Sequence, residues 1–157
     1  MKIDRNTLIF FDASCLIAAA GSTSGGSGFL LALCLRRLVR AAVSQPVLLE
    51  AQRNIQRKLG EEELNSFYRL LVLIPFILAP VPLKEQSTSI REVINEKDQH
   101  VVLAAIAVGA QFLVTLDRGL ADQVNHKGLS IRALLPGDFI KTVLPKHVDY
   151  PSVREEG

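Results

Sequence analysis

The sequence predicts an α/β fold in three layers, with helices on both faces of a central parallel sheet of four to five strands. Three observations point there. Leu8–Phe11 (LIFF) is a short, wholly apolar run, as expected of a strand buried on both faces. Phe112–Leu116 (FLVTL) repeats that pattern much later in the chain. Between and after these runs, stretches of helical periodicity alternate with further short apolar runs, the signature of strand–helix–strand units.

Taken in order, Leu8–Phe11 is the first strand, and Asp12 is the first charge after it. Ser14–Ala20 is a short helix. Gly21–Gly28 (GSTSGGSG) is a flexible break, without the Lys-Ser or Lys-Thr that closes a phosphate-cradling loop. Helical periodicity then covers Phe29–Val43, with Arg36, Arg37 and Arg40 on its polar side, either as a solvated face or as RNA backbone contacts. Pro46 marks a new start, and Val47–Leu59 reads as a helix with Glu50 in its first turn and Arg53, Arg57 and Lys58 on its polar face. After Gly60, Glu61–Leu73 opens with three acids that suit a helix N-terminus.

Phe76–Val81 is expected to be a second strand, pushed to a sheet edge by Pro75, Pro80 and Pro82. Ser87–Asn95 reads as helical. Asp98–Ala110 is a helix whose alanines allow close packing, and Gly109 ends it. The third strand, Phe112–Leu116, runs into Asp117. Leu120–Asn125 is a helical turn, Leu129–Ala133 a fourth strand and Gly137–Val143 a last helix. The chain is therefore expected to form one domain over residues 1–144, followed by a loosely ordered tail over 145–157.

Composition narrows the function. With 157 residues, nearly half of them hydrophobic, the chain can bury a proper core. A net charge of +2 and a pI near 8.7 permit a nucleic-acid partner without demanding one. Cys15 and Cys34 lie in apolar stretches and read as buried thiols, which suits a reducing cytoplasm. The N-terminal apolar run has the outline of a signal peptide, but Asp12 interrupts it. The longest charge-free run, Leu70–Leu83, has 14 residues and three prolines, too short and broken to span a membrane. A cytoplasmic protein is expected. A mean hydropathy of +0.25 implies apolar surface to spare, and hence a homodimer.

Two distant strands each end in an aspartate, Asp12 and Asp117, and in a parallel sheet both ends lie on one edge, where ligands bind. Each acid also has an ordinary reading. Asp12 and Asp98 suit helix caps, Asp117 a turn, and Glu50 a helix start. Topology read from sequence leaves Asp98 and Glu50 unplaced. His100, His126 and His147 share no ligand spacing and read as surface or interface residues.

The pattern resembles the PIN-domain nucleases. The matching residues are Asp12 in FFDASCLIA, Glu50 in VLLEAQ, Asp98 in EKDQHVVLAAI and Asp117 in LVTLDRGL, with Ser14 two after the first acid and Thr115 two before the last. The resemblance covers Leu8 to Leu135. It implies a metal-dependent ribonuclease, most often the toxin of a toxin–antitoxin pair, with RNA as substrate and a small antitoxin as partner. On that reading Mg²⁺ or Mn²⁺, which favour carboxylate and water ligands, is held by Asp12 and Asp117, and by Asp98 directly or through water. Glu50 orients water or a second ion, Ser14 and Thr115 steady the carboxylates, and Asp122 is a candidate outer acid. Asn95 and Glu96 stand near enough in sequence to be considered as well. Two other readings compete: an inert binding module of the same fold, and a phosphatase of the haloacid-dehalogenase type. The latter needs an acid two residues after Asp12, where Ser14 stands.

Overall fold

The computed structural model of the protein describes residues 2–81 and 94–150. Its strands are β1 (Leu8–Phe11), β2 (Arg40–Val43), β3 (Ile77–Leu78), β4 (Phe112–Val114) and β5 (Arg132–Leu134). All are parallel, in the spatial order β3-β2-β1-β4-β5. The helices are α1 (Ala13–Gly21), α2 (Gly26–Leu35), α3 (Gln45–Lys58), α4 (Glu61–Leu73), α5 (Gln99–Ala107), α6 (Arg118–Lys127) and α7 (Pro136–Asp138). This is the expected α/β/α architecture.

β1 lies at the centre, all four of its residues buried, which is why its sequence is continuously apolar. Behind the sheet, Phe112 meets Phe139 edge to face at 5.2 Å. α1 and α2 are rich in small and apolar residues because they pack into the core: Cys15, Leu16, Leu30 and Leu31 are buried. No single helix among the described residues is long and apolar enough to cross a membrane. Cys15 and Cys34 are both buried and unpaired.

The structure departs from the sequence reading in several places. The helix expected over residues 29–43 stops at Leu35, and Arg40–Val43 is β2, paired with β1 from Leu8 opposite Arg40. Arg37 ends the helix by adopting a left-handed conformation, φ 61°, usually given to glycine. The Arg37 N–H donates to the Cys34 carbonyl and the Leu38 N–H to the Leu33 carbonyl, both at 3.0 Å, closing a Schellman turn. α3 begins earlier than expected, at Gln45, because Ser44 caps it by accepting from the Val47 N–H. Glu50 therefore lies in its second turn. The fourth expected strand shifts to Arg132–Leu134, and the last helix is short, continuing as a π-helical turn over Phe139–Val143. The helix expected over Ser87–Asn95 falls outside the described residues up to position 93.

The looseness expected from Pro145 does not extend through Tyr150. His147 is buried, contrary to the surface role expected of it, and its Nε2 lies 2.7 Å from the Leu38 carbonyl. Its Nδ1 accepts from the Asp149 N–H at 3.0 Å, so Nε2 carries the proton and donates. Val148 N–H donates to the Ile3 carbonyl at 2.9 Å, and Arg5 pairs with Asp149 at 3.3 Å. The segment is fastened by polar bonds to backbone, which apolar periodicity does not reveal.

His147→Ala leaves the buried Leu38 carbonyl without its donor and should cost about 1–3 kcal/mol. Urea denaturation checks this; an unchanged midpoint would mean that the bond holds nothing.

Candidate active site

Pairing of β1 with β4 sets Phe11 opposite Val114, so both strands leave the sheet side by side. Asp12 follows one and Thr115 the other, with the Asp12 N–H donating to the Val114 carbonyl at 3.0 Å. Asp12 is the N-cap of α1, and its Oδ1 accepts from the Ala13 N–H at 2.8 Å. Asp117 is the N-cap of α6, its Oδ1 accepting from the Leu120 N–H at 3.1 Å. The capping reading and the site reading are thus both met by the same side chains, and the positive end of each helix favours the negative charge.

Two hydroxyls lock the pair. The fully buried Thr115 donates from Oγ1 to Asp12 Oδ2 at 2.7 Å and accepts from the Asp117 N–H at 3.1 Å. Ser14 donates to the same Oδ2 at 3.3 Å and accepts from the Leu116 N–H at 3.0 Å. Each hydroxyl therefore joins the two strand ends, with its proton on Asp12. This position also fails the phosphatase chemistry, since Ser14 supplies no second carboxyl. Cys15 is no nucleophile: burial, with a further push from the charge of Asp12, raises its thiol to about 12 despite hydrogen bonding from Ser27 and Ser14.

Asp98 ends the 3₁₀ turn Glu96–Asp98 that leads into α5. The helix returns to the start of β4, so its own beginning sits at the carboxyl edge with Asp12 and Asp117. Asp98 Oδ2 is buried and has no hydrogen-bond partner. Burial raises its pKa above the ordinary carboxylate value; Lys97 opposes this, Asp12 and Asp117 add to it, and His100 opposes it. An orphaned buried oxygen facing two further acids is a donor set that fits a hard cation. Among the described residues, no three His, Cys, Asp or Glu side chains are close enough to cage an ion as they stand. A Mg²⁺-like ion, which keeps several waters and takes one or two carboxylates, does not require such a cage.

The other candidates are not drawn into this network. Glu50 is exposed and lines a neighbouring cavity of about 610 Å³ with Arg53 and His100. Asp122 is exposed on α6. Asn95 is exposed, its N–H donating to Gln123 Oε1 at 3.3 Å, and Glu96 is exposed. His100, expected from the sequence to be a surface or interface residue, has its Nδ1 buried without a partner and close enough to Asp98 to act on its charge. Its place two residues after Asp98, in the first turn of α5, was the available signal.

A family model described as PIN domain matches residues 8–119. No curated protein matches the chain. Among solved structures, VapBC2 from Rickettsia felis, bound to a DNA fragment from its promoter, aligns with a TM-score of 0.61 at 17% identity, over 82% of this chain and 98% of that one. VapC20 from Mycobacterium tuberculosis, a toxin that cleaves the sarcin–ricin loop, aligns with a TM-score of 0.53 at 17% identity, over 79% and 98%. PAE2754 from Pyrobaculum aerophilum aligns with a TM-score of 0.54 at 20% identity, over 74% and 79%.

Because the native pKa of Asp98 is raised, its ionised form opposes folding. The contribution is favourable at acid pH, while Asp98 is protonated, and is lost as pH rises through the native pKa. Asp98→Asn should therefore melt higher than the wild type in chelator at neutral pH. The margin is below about 1 kcal/mol because a half-exposed charge is screened. It should shrink towards zero as the pH falls below the range where Asp98 ionises. Thermal melts over pH 3–8 test this, and a margin that grows in acid would contradict it.

Proposed function

Because the chain belongs to the PIN-domain family, we propose that it is a divalent-metal-dependent endoribonuclease, acting in the cytoplasm as the toxin of a toxin–antitoxin pair. The observation that carries this reading is the bonded group of Asp12, Ser14, Thr115 and Asp117, with the orphaned Asp98 oxygen beside it. The sarcin–ricin-loop specificity of VapC20 lends the choice of RNA as substrate.

Asp12 and Asp117 would hold Mg²⁺ or Mn²⁺, with Asp98 joining directly or through water. When bound, such an ion activates a water for attack and offsets charge on the scissile phosphate. The remaining work falls to the chain itself. Thr115 and Ser14 fix the Asp12 carboxylate from one side while the Ala13 N–H fixes it from the other. The α6 N-terminus holds Asp117 through the Leu120 N–H. To Glu50, exposed in the neighbouring cavity, we assign the orientation of a water entering from solvent. This division resembles other metal sites, in which hydrogen-bonded outer groups orient the ligands.

The chain also offers a face for a second copy. Tyr68, Val72 and Leu73 on α4 are exposed, Val72 to 83%, and Leu78 on the edge strand β3 is 60% exposed. We assign these apolar side chains to a homodimer and the acidic edge to RNA and to a small antitoxin that would block it.

Asp12→Asn should abolish RNA cleavage with an unchanged circular dichroism spectrum, since Asn keeps the size but not the charge. Thr115→Val and Ser14→Ala should lose about 10–100-fold, as outer-group changes do. Wild-type cleavage by folded Asp12→Asn would refute the assignment. Millimolar Mg²⁺ or Mn²⁺ should raise the wild-type melting temperature, and raise that of Asp98→Asn or Asp117→Asn less. Equal gains in all three proteins would mean that these acids form no common site. Sedimentation at micromolar concentration should show a dimer; a sole 17.2 kDa species would exclude one.

A further inference from the structure

An acidic centre repels a polyanion, so an RNA strand held across it needs cations on either side. The carboxyl edge of the sheet supplies them in a paired arrangement. On the β4–β5 side is a cavity of about 340 Å³, lined by Ser22, Gly26, Leu116, Leu135 and Lys141 among others. On the β2 side is the cavity of about 610 Å³, lined by Gln45, Leu49, Arg53 and His100. β1 and β4, which lead into Asp12 and Asp117, lie between β2 and β5 in the sheet.

Each cavity presents an exposed leucine: Leu116, directly before Asp117, is 45% exposed, and Leu49, directly before Glu50, is 43% exposed. Each also presents an exposed cation, Lys141 or Arg53, with no ion pair among the described residues. The nearby acids, Asp138 and Glu50, leave both cations unpaired. The glycine-rich break acquires a role here. Gly26 brings the start of α2 against α7, where a Cβ would stand 3.4 Å from the Pro136 side chain, and this forms one wall of the smaller cavity.

We infer that an RNA strand lies along this edge, across the strand ends, with one backbone phosphate on Lys141 and another on Arg53. The apolar faces of flanking bases rest on Leu116 and Leu49. From β2 to β5 is three inter-strand steps, about 14 Å, room for an unpaired stretch of a few nucleotides. Phosphate contacts of this kind set the register of the strand, and so which bond meets the acids. The inference rests on the nuclease reading but concerns binding, which is measurable apart from cleavage.

The test is fluorescence anisotropy with a labelled single-stranded RNA oligonucleotide in chelator, over a series of salt concentrations. Lys141→Ala and Arg53→Ala should each weaken binding about fivefold at 0.1 M salt and flatten the slope of log affinity against log salt by about 0.7. Arg132→Ala, an exposed charge removed at the amino end of β5, the opposite edge of the sheet, should change neither. Binding that is absent in the wild type, indifferent to both variants, or equally weakened by Arg132→Ala overturns the groove. In Mg²⁺ or Mn²⁺ the two variants should raise KM and leave kcat near the wild-type value. Cleavage with affinity and KM unchanged in the variants refutes the groove and leaves the nuclease reading standing. Binding with the stated dependence but no cleavage in either metal supports the groove and refutes the nuclease reading.

Discussion

Since β1 and β4 run side by side in the same direction, with Phe11 opposite Val114, the chain leaves both strands at one edge and one depth. Everything at the site follows from that register. The residue after β1 is Asp12 and the residue after β4 is Thr115, and the 2.7 Å bond between them is available only because the strands end level. A shift of one residue would turn the side chains of a strand to the opposite face and part the two groups. The apolar runs that bury β1 and β4 are therefore also what aligns the polar group beyond them.

The same edge receives the N-terminus of each helix that follows a strand. Asp12 and Asp117 are caps as well as site acids, so their contribution to folding and their proposed chemistry are carried by the same oxygens. Asp98 differs. Its Oδ2 has no partner and its ionised form is disfavoured by burial and by two neighbouring acids. A partly buried carboxylate with one oxygen left without a partner is costly in a fold and is commonly retained at a functional site.

The sequence made the layer order, the central strands and the acids Asp12 and Asp117 legible, because short apolar runs ending in a charge mark buried parallel strands. β2 was hidden. Its residues, Arg40-Ala41-Ala42-Val43, favour a helix locally and become a strand only through pairing with β1 and β3. The stop before it was also unmarked, since Arg37 takes the left-handed position that a glycine would have announced. Asp98 was placeable in principle: a helix that must return to the amino end of β4 has to begin at the carboxyl edge. Glu50 stood in the expected region but one turn deeper in its helix, facing a separate cavity. The burial of His147 gave no sequence signal, as its partner is the Leu38 carbonyl, far away in the chain.

The clamp that holds His147 has a practical meaning. Ile3 bridges to His147 and Arg5 pairs with Asp149, so the two ends of the described chain meet at the amino edge of the sheet, away from the acids. Attaching the protein to a bead or sensor surface through a group placed on Lys2 or Tyr150 would leave the carboxyl edge facing the bulk solution. Joining residues 2 and 150 directly through a short linker would need little extra chain, and a new opening in an exposed turn could then make a permuted protein with its acids undisturbed.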